Sequence, residues 1–226
     1  MRRKEEAALV QLGEYSEAQD SFKEAVEIYQ KFVAADPRDS RAITDLKVAL
    51  NFEALGFETA ADAALGASKG DRRRNLAEAQ KLWTQIMGII GQARKQEPTD
   101  GDWLLARADA QARLGTIQSL LQSAAGSVAM TKQGICGMKE LARKQQTSAR
   151  TLDLTASDLL IVEPKALRDS HFAVTTADRA MALKHRKTPS MLLTLAQAYR
   201  ATGQIRKSIT VANEGLALRS SLPEGA

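Results

Sequence analysis

The chain has 226 residues, of which 44% are hydrophobic but only 4% aromatic, so a core must be built from aliphatic and small side chains. Its formal net charge is +5, from 32 basic and 27 acidic residues that interleave along the sequence; that permits a nucleic-acid partner without arguing for one. A single cysteine excludes an intramolecular disulfide framework, and the longest apolar run, Leu159-Leu160-Ile161-Val162, falls far short of the roughly 20 residues that cross a bilayer.

The start, Met1-Arg2-Arg3-Lys4-Glu5-Glu6, leads into a charged amphipathic stretch and not the apolar core of a secretory signal, so the expected location is cytoplasmic. Alanine and leucine dominate and no β-branched alternation is sustained, which predicts helix throughout and essentially no sheet. Ser16-Glu17-Ala18-Gln19 has the form of a capping box and opens a helix through Phe22, Ala25, Val26, Tyr29 and Val33. Asp36-Pro37 ends it, because a residue before proline is pushed out of helical geometry. Asp39 or Ser40 caps the next helix, which carries Ile43, Leu46, Ala49, Leu50, Phe52 and Leu55 and extends towards Leu65.

Residues 66–74 combine two glycines with Lys69, Arg72, Arg73 and Arg74 and predict an internal loop. Helix resumes near Asn75 with Leu76, Ala79, Leu82, Trp83, Ile86, Ile89 and Ile90; Trp83 reads as core. After Glu97-Pro98, Thr99 or Asp100 caps a helix holding Trp103, Leu104, Ala108, Leu114, Ile117, Leu120 and Leu121, with Trp103 partly exposed near the turn. A break at Ala125-Gly126-Ser127 precedes a helix with Val128, Ile135, Met138 and Leu141, on which Cys136 reads as a small buried residue. Thr147 or Ser148 starts a short helix that Glu163-Pro164 ends, and Asp169 or Ser170 starts another through Phe172, Ala173, Ala180 and Leu183. Thr188-Pro189 opens the next, with threonine as cap and proline in the first helical position, and Thr202-Gly203 closes it. The last helix spans about Ile205 to Arg219, and residues 220–226 read as a frayed tail.

A four-then-three spacing of small or packing residues recurs five times: Ala18/Phe22/Ala25, Ala79/Trp83/Ile86, Ala129/Gln133/Cys136, Ala173/Ala177/Ala180 and Ser208/Ala212/Gly215. That spacing puts each trio on one helix face, where small residues admit a second helix closely. The pattern predicts ten helices in five hairpins, at about 2–36, 39–97, 100–146, 148–185 and 188–219, within one repeat domain covering 1–226. One hairpin cannot bury enough apolar surface to order itself, so each needs a neighbour on its exposed apolar face.

The segment from Thr188 to Leu218 resembles a tetratricopeptide repeat: Leu192, Leu195, Ala196, Tyr199, Gly203, Ser208, Ala212 and Gly215 fall where that family places its large, small and turn residues. Leu12-Gly13, Tyr15, Ala18, Phe22, Ala25 and Pro37 match as well, and Leu55-Gly56 and Leu114-Gly115 match the close-packing pair of a first helix; the middle units diverge. The style of the chain is also similar to the repeat regions that follow the catalytic domain in bacterial serine/threonine kinases. The resemblance implies an all-α, right-handed superhelix of about five hairpins, with a concave groove for a peptide or partner helix. By that geometry Glu53, Phe57, Asp109, Ala112, Thr116, Asp158, Val162, Gln197 and Arg200 face the groove. Only Arg200 among them is basic, which argues against a clamp for a C-terminal carboxylate.

Enzyme constellations are missing from the sequence. His171 and His185 have no ligand spacing or cysteine partner for zinc, and neither a phosphate-binding Gly-x-x-x-x-Gly-Lys loop nor a His-Arg-Asp triplet occurs. The expectation is a non-catalytic scaffold for a protein or peptide, with no cofactor, metal or membrane. Two alternatives stand beside it. The chain could be an interaction module of a larger bacterial signalling enzyme such as a serine/threonine kinase, because Met1 falls inside what the resemblance makes a fuller first helix; the stripe of Leu9, Leu12 and Tyr15 would then need a preceding unit or a second copy to cover it, which also raises self-association through the N-terminal hairpin. Or Lys69, Arg72, Arg73 and Arg74 could contact an acidic surface or, weakly, a nucleic acid, although no aromatic residues interleave with them for base stacking.

Overall fold

A computed structural model describes residues 15–66, 68–122, 125–184 and 188–220, with side chains from residue 20 onward. The chain before Tyr15, including Leu9, Leu12 and the first helix of the first hairpin, lies outside the described residues, as do His185, the side chain of Ala18 and residues 221–226. Among the described residues all regular structure is helical: α1 (Tyr15–Ala35), α2 (Ser40–Ala63), α3 (Lys69–Gln96), α4 (Gly101–Leu121), α5 (Ser127–Arg143), α6 (Ala149–Ile161), α7 (Ser170–Leu183), α8 (Pro189–Ala201) and α9 (Ile205–Ser220), with a 3-10 turn at Lys165–Leu167.

Local chemistry sets the helix starts. The Asp39 carboxylate accepts from the amides of Arg41 and Ala42 at 2.9 and 3.0 Å, and Asp100 accepts from Trp103 at 2.9 Å. Ser148, Asp169 and Thr188 cap α6, α7 and α8 in the same way. Two expected boundaries move. Tyr15 and Ser16 are already helical, so Ser16 is not the cap of α1. Helix α3 starts at Lys69 and not near Asn75: Ser68 caps it, accepting from the Asp71 amide at 3.2 Å, and Asp71 in the first turn pairs with Arg74 at 2.9 Å. A serine cap and an acid near the positive end of the helix dipole outweigh the glycine at position 70, so the basic run is helical.

The chain divides into two compact units. The first holds α1–α3 and the opening of α4 to Trp103, with Leu121 grouped beside them; the second holds α4 from Leu104 and α5–α9. The boundary falls inside a continuous helix, so no linker composition marks it.

In the first unit α2 packs against both α1 and α3. Leu76, Ala79, Trp83, Ile86, Ile90 and Ala93 form one buried stripe at alternating three- and four-residue spacing along α3, the 3.5-residue period of long helices packed side by side. With 28 residues, α3 is about 42 Å long. Buried Trp83 donates its indole N–H to Glu58, which answers the polar end of an otherwise apolar side chain. Phe22 stacks on Phe52 with ring centroids 5.3 Å apart. Trp103, expected partly exposed, is 9% exposed and lies beneath the Lys47 ammonium at 5.4 Å.

In the second unit α4 and α5 meet through glycines. A Cβ on Gly134 would stand 2.5 Å from the Ala108 carbonyl and would also overlap the Ala112 amide; one on Gly115 would stand 2.6 Å from the Ser127 carbonyl and the Thr131 amide. Backbone therefore touches backbone at both points. This corrects the face expected for α5. Ala129, Gln133 and Cys136 are exposed, and the buried trio is Ser127, Thr131 and Gly134, the same spacing two residues earlier. Helix α7 presents Ala173, Ala177 and Ala180, each at most 1% exposed, and packs against both α6 and α8. Its Arg179 donates to the Ala142 carbonyl at 2.7 Å, so α7 caps the C-terminus of α5. Gly203 turns the chain from α8 to α9 at φ +75, and Ser208 donates to the Ala196 carbonyl at 2.8 Å.

These contacts separate two kinds of glycine. Gly134→Ala must push α4 and α5 apart and is expected to cost about 2–3 kcal/mol, seen as a lower denaturant midpoint. Gly88→Ala, on the exposed side of α3 with nothing within 4 Å, is expected to stabilise by about 0.5–1 kcal/mol.

Candidate functional site

The expected groove residues separate by burial. Asp109, Ala112, Asp158 and Val162 are 7, 0, 0 and 2% exposed, so they do not line an open groove. Asp109 and Asp158 are held inward by Arg113, whose Nε is 2.8 Å from the Asp109 carboxylate and whose Nη2 is 2.7 Å from that of Asp158. The triad ties α4 to α6 across 45 residues of sequence. Thr116 is partly buried and its hydroxyl accepts from the Glu163 amide at 3.1 Å. In the first unit Glu53 and Phe57 are partly buried on α2. Burial lifts the Glu53 carboxyl above the ordinary range, Glu78 adds to the rise, and Lys23 opposes it. Gln197 and Arg200 alone of the nine are exposed.

Exposure on the second unit instead picks out a strip on α6 and α8. These helices contact each other directly. Leu152 shares an apolar cluster with Met191, and Leu159 shares one with Leu195 and Ala198, so the two helices run side by side in the same direction. Asp153, Ser157 and Ile161 follow one another at four-residue spacing on α6; Leu193, Gln197 and Arg200 occupy one face of α8. Ile161 is 45% and Leu193 56% exposed. Asp153 sits half-buried at the seam, where burial raises its carboxyl and the neighbouring Thr194 side chain opposes the rise; the Thr194 hydroxyl itself donates to the Ser190 carbonyl at 3.2 Å. The Asp153 Oδ1 is buried without a hydrogen-bond partner. The strip combines two large apolar side chains, an amide and a guanidinium, with a half-buried carboxyl at the seam. Reading α6 one residue out of register is what placed Asp158 and Val162 on the open face.

The basic group on α3 is arranged otherwise than a loop would be. Lys69, Arg73 and Arg74 are exposed, Arg74 is paired with Asp71, and Arg72 is partly buried. Cys136 is exposed, against expectation, because α5 turns Ile135 and Met138 inward. His171 is exposed at the start of α7. Among the described residues no group of three or more His, Cys, Asp or Glu side chains is placed to hold a metal ion, and no helix is long and apolar enough to cross a membrane.

At the start of α7, Asp169 caps the helix and its carboxylate meets Lys139 at 2.6 Å. Lys139 and Arg143 both lie over the Phe172 ring, at 5.2 and 5.3 Å. Burial pushes the Asp169 carboxyl up, but hydrogen bonds from Lys139 and the Phe172 amide outweigh it, and it lies below its ordinary value.

Comparison with known proteins returns no matching family model, no matching curated protein and no matching solved structure. The functional reading therefore rests on the residues described above.

Two predictions concern the polar contacts. Arg113→Leu leaves two carboxylates buried without their cation and is expected to cost about 3–5 kcal/mol in denaturant unfolding; replacing Asp109 and Asp158 by leucine as well should recover most of that loss. The Asp169 carboxylate, with its lowered folded value, lends stability that is fully present above about pH 4 and disappears as pH falls through that value. Asp169→Asn keeps the cap but loses the charge, so its melting temperature should fall less than the parent's as pH is lowered below about 4.

Proposed function

We propose that the chain is a non-catalytic interaction scaffold of the tetratricopeptide kind, which holds a peptide or a partner helix along the α6–α8 strip. The observation that carries this reading is the parallel pair α6 and α8, packed on the alanine face of α7, with open side chains on both helices. Small residues bring the helices close, and the side chains along the strip are chemically mixed. Such a surface suits an extended or helical ligand, whose side chains can alternate between apolar and polar contacts.

Ile161 and Leu193 supply apolar anchors, Gln197 can bond a ligand main chain, and Arg200 favours an acidic group on the ligand. Specificity would come from the spacing of those groups, and affinity from the apolar pair.

Affinity capture with the full chain, read by mass spectrometry and then by direct binding of the recovered partner, tests this. Leu193→Glu combined with Arg200→Glu should weaken retention at least about tenfold, with helicity unchanged, while Lys81→Glu on exposed α3 should leave it intact. Equal retention by all three proteins would remove the strip from consideration.

A further inference from the structure

The first and last described helices in chain order each expose an apolar stripe, and the stripes carry opposite charge. On α9, Ile205, Ile209, Ala212 and Leu216 follow at four, three and four residues, which places them on one face. Ile205, Ile209 and Leu216 are 51, 56 and 62% exposed, and Gly215 is the only residue of α9 that is buried. Arg206 and Arg219 bracket this stripe, one on each side, while Glu214 projects from the opposite side of the helix. On α1, Ile28 and Phe32 are 39 and 57% exposed, one helical turn apart. The exposed edge beside them carries Asp20, Glu24 and Glu27 against one lysine, Lys31; the other lysine of that stretch, Lys23, acts on Glu53 of α2.

A basic-edged apolar stripe and an acidic-edged one are complementary in both the hydrophobic and the electrostatic sense. Two copies of α9 would bring arginine towards arginine, and two copies of α1 would bring acid towards acid. Pairing unlike faces avoids both, and Ala212, between Ile209 and Leu216, is small enough to leave room for a larger side chain such as Phe32. We propose that the chain self-associates head to tail, with the α9 face of one copy seated on the α1 face of a second copy.

The contact is heterologous, so every added copy leaves one face of each kind open until a ring closes. A single helix pair buries less than the roughly 800 Å² per partner of a standard interface. The association is therefore weak, rising with protein concentration and falling with salt as the arginine–carboxylate attraction is screened. This surface is separate from the α6–α8 strip and stands or falls independently of it.

Sedimentation equilibrium of the full chain and two singly blocked variants tests the proposal. For the parent, the mass average should rise above one protomer with concentration, and the rise should shrink between about 50 mM and about 500 mM salt. Ile209→Asp and Phe32→Asp replace exposed side chains, so both should fold, and each alone should stay at the mass of one protomer. Mixed in equal amounts they should form a species of two protomers and no more, because each retains the face the other lacks. A parent that stays at one protomer throughout would overturn the proposal. So would a Phe32→Asp variant that still dimerises alone, which would mean α9 pairs with itself, or a monomeric chain whose Ile209→Asp variant loses binding to vesicles of anionic phospholipid, which would mean the basic stripe meets a membrane.

Discussion

Close approach of helices at residues with little or no side chain is the constraint on which the second unit depends. At Gly115 and Gly134 the backbones of α4 and α5 touch, and no other residue fits without moving one of them. The buried alanines of α7 face α6 and α8 in the same way, with a methyl group where α4 and α5 have none. A chain with so few aromatic residues has little bulk to fill wide gaps, so it must bring its helices close to bury enough area. Glycine costs helix propensity at each such point, and the contact must exceed that cost.

The first unit solves the same problem differently. Its long helices align a regular stripe from Leu76 to Ala93 and fill the interior with Trp83, Leu50 and Phe22, on whose ring the more exposed Phe52 stacks. Two ways of packing thus coexist in one chain, one by matched long helices and one by notches. The α6–α8 strip and the α9 face both belong to the notch-packed unit. There short helices leave outward faces that no described helix covers, and it is on those faces that Leu193, Ile161, Ile209 and Leu216 stand open.

Polar groups inside the second unit constrain which arrangement the helices adopt. Arg113 must meet both Asp109 and Asp158, and this fixes the rotation of α6 against α4 in a way that apolar contacts alone would not. The same rotation leaves Ile161 open on the other side of α6. The buried triad and the open strip are two sides of one orientation.

The sequence alone determined where most of the helices lie, although Lys69–Arg74, expected as loop, is the first part of α3. Asp39, Asp100, Ser148, Asp169 and Thr188 announce their starts, Gly203 and Pro164 mark ends, and the stripe from Leu76 to Ile90 and the alanines of α7 declare their buried faces. Those signals are legible because each acts within a few residues of chain. Only the tertiary structure decided which face of α5 is buried, that Asp109 and Asp158 turn inward, and that a compact unit ends inside α4. Ser127, Thr131 and Gly134 share the spacing of Ala129, Gln133 and Cys136, and spacing by itself does not choose between the two faces. What selects the buried one is the backbone of another helix, and what selects Asp158 is an arginine 45 residues away. Periodicity within a helix carries no information about a neighbour that distant, so the fold of each element was readable and the choice between its faces was not.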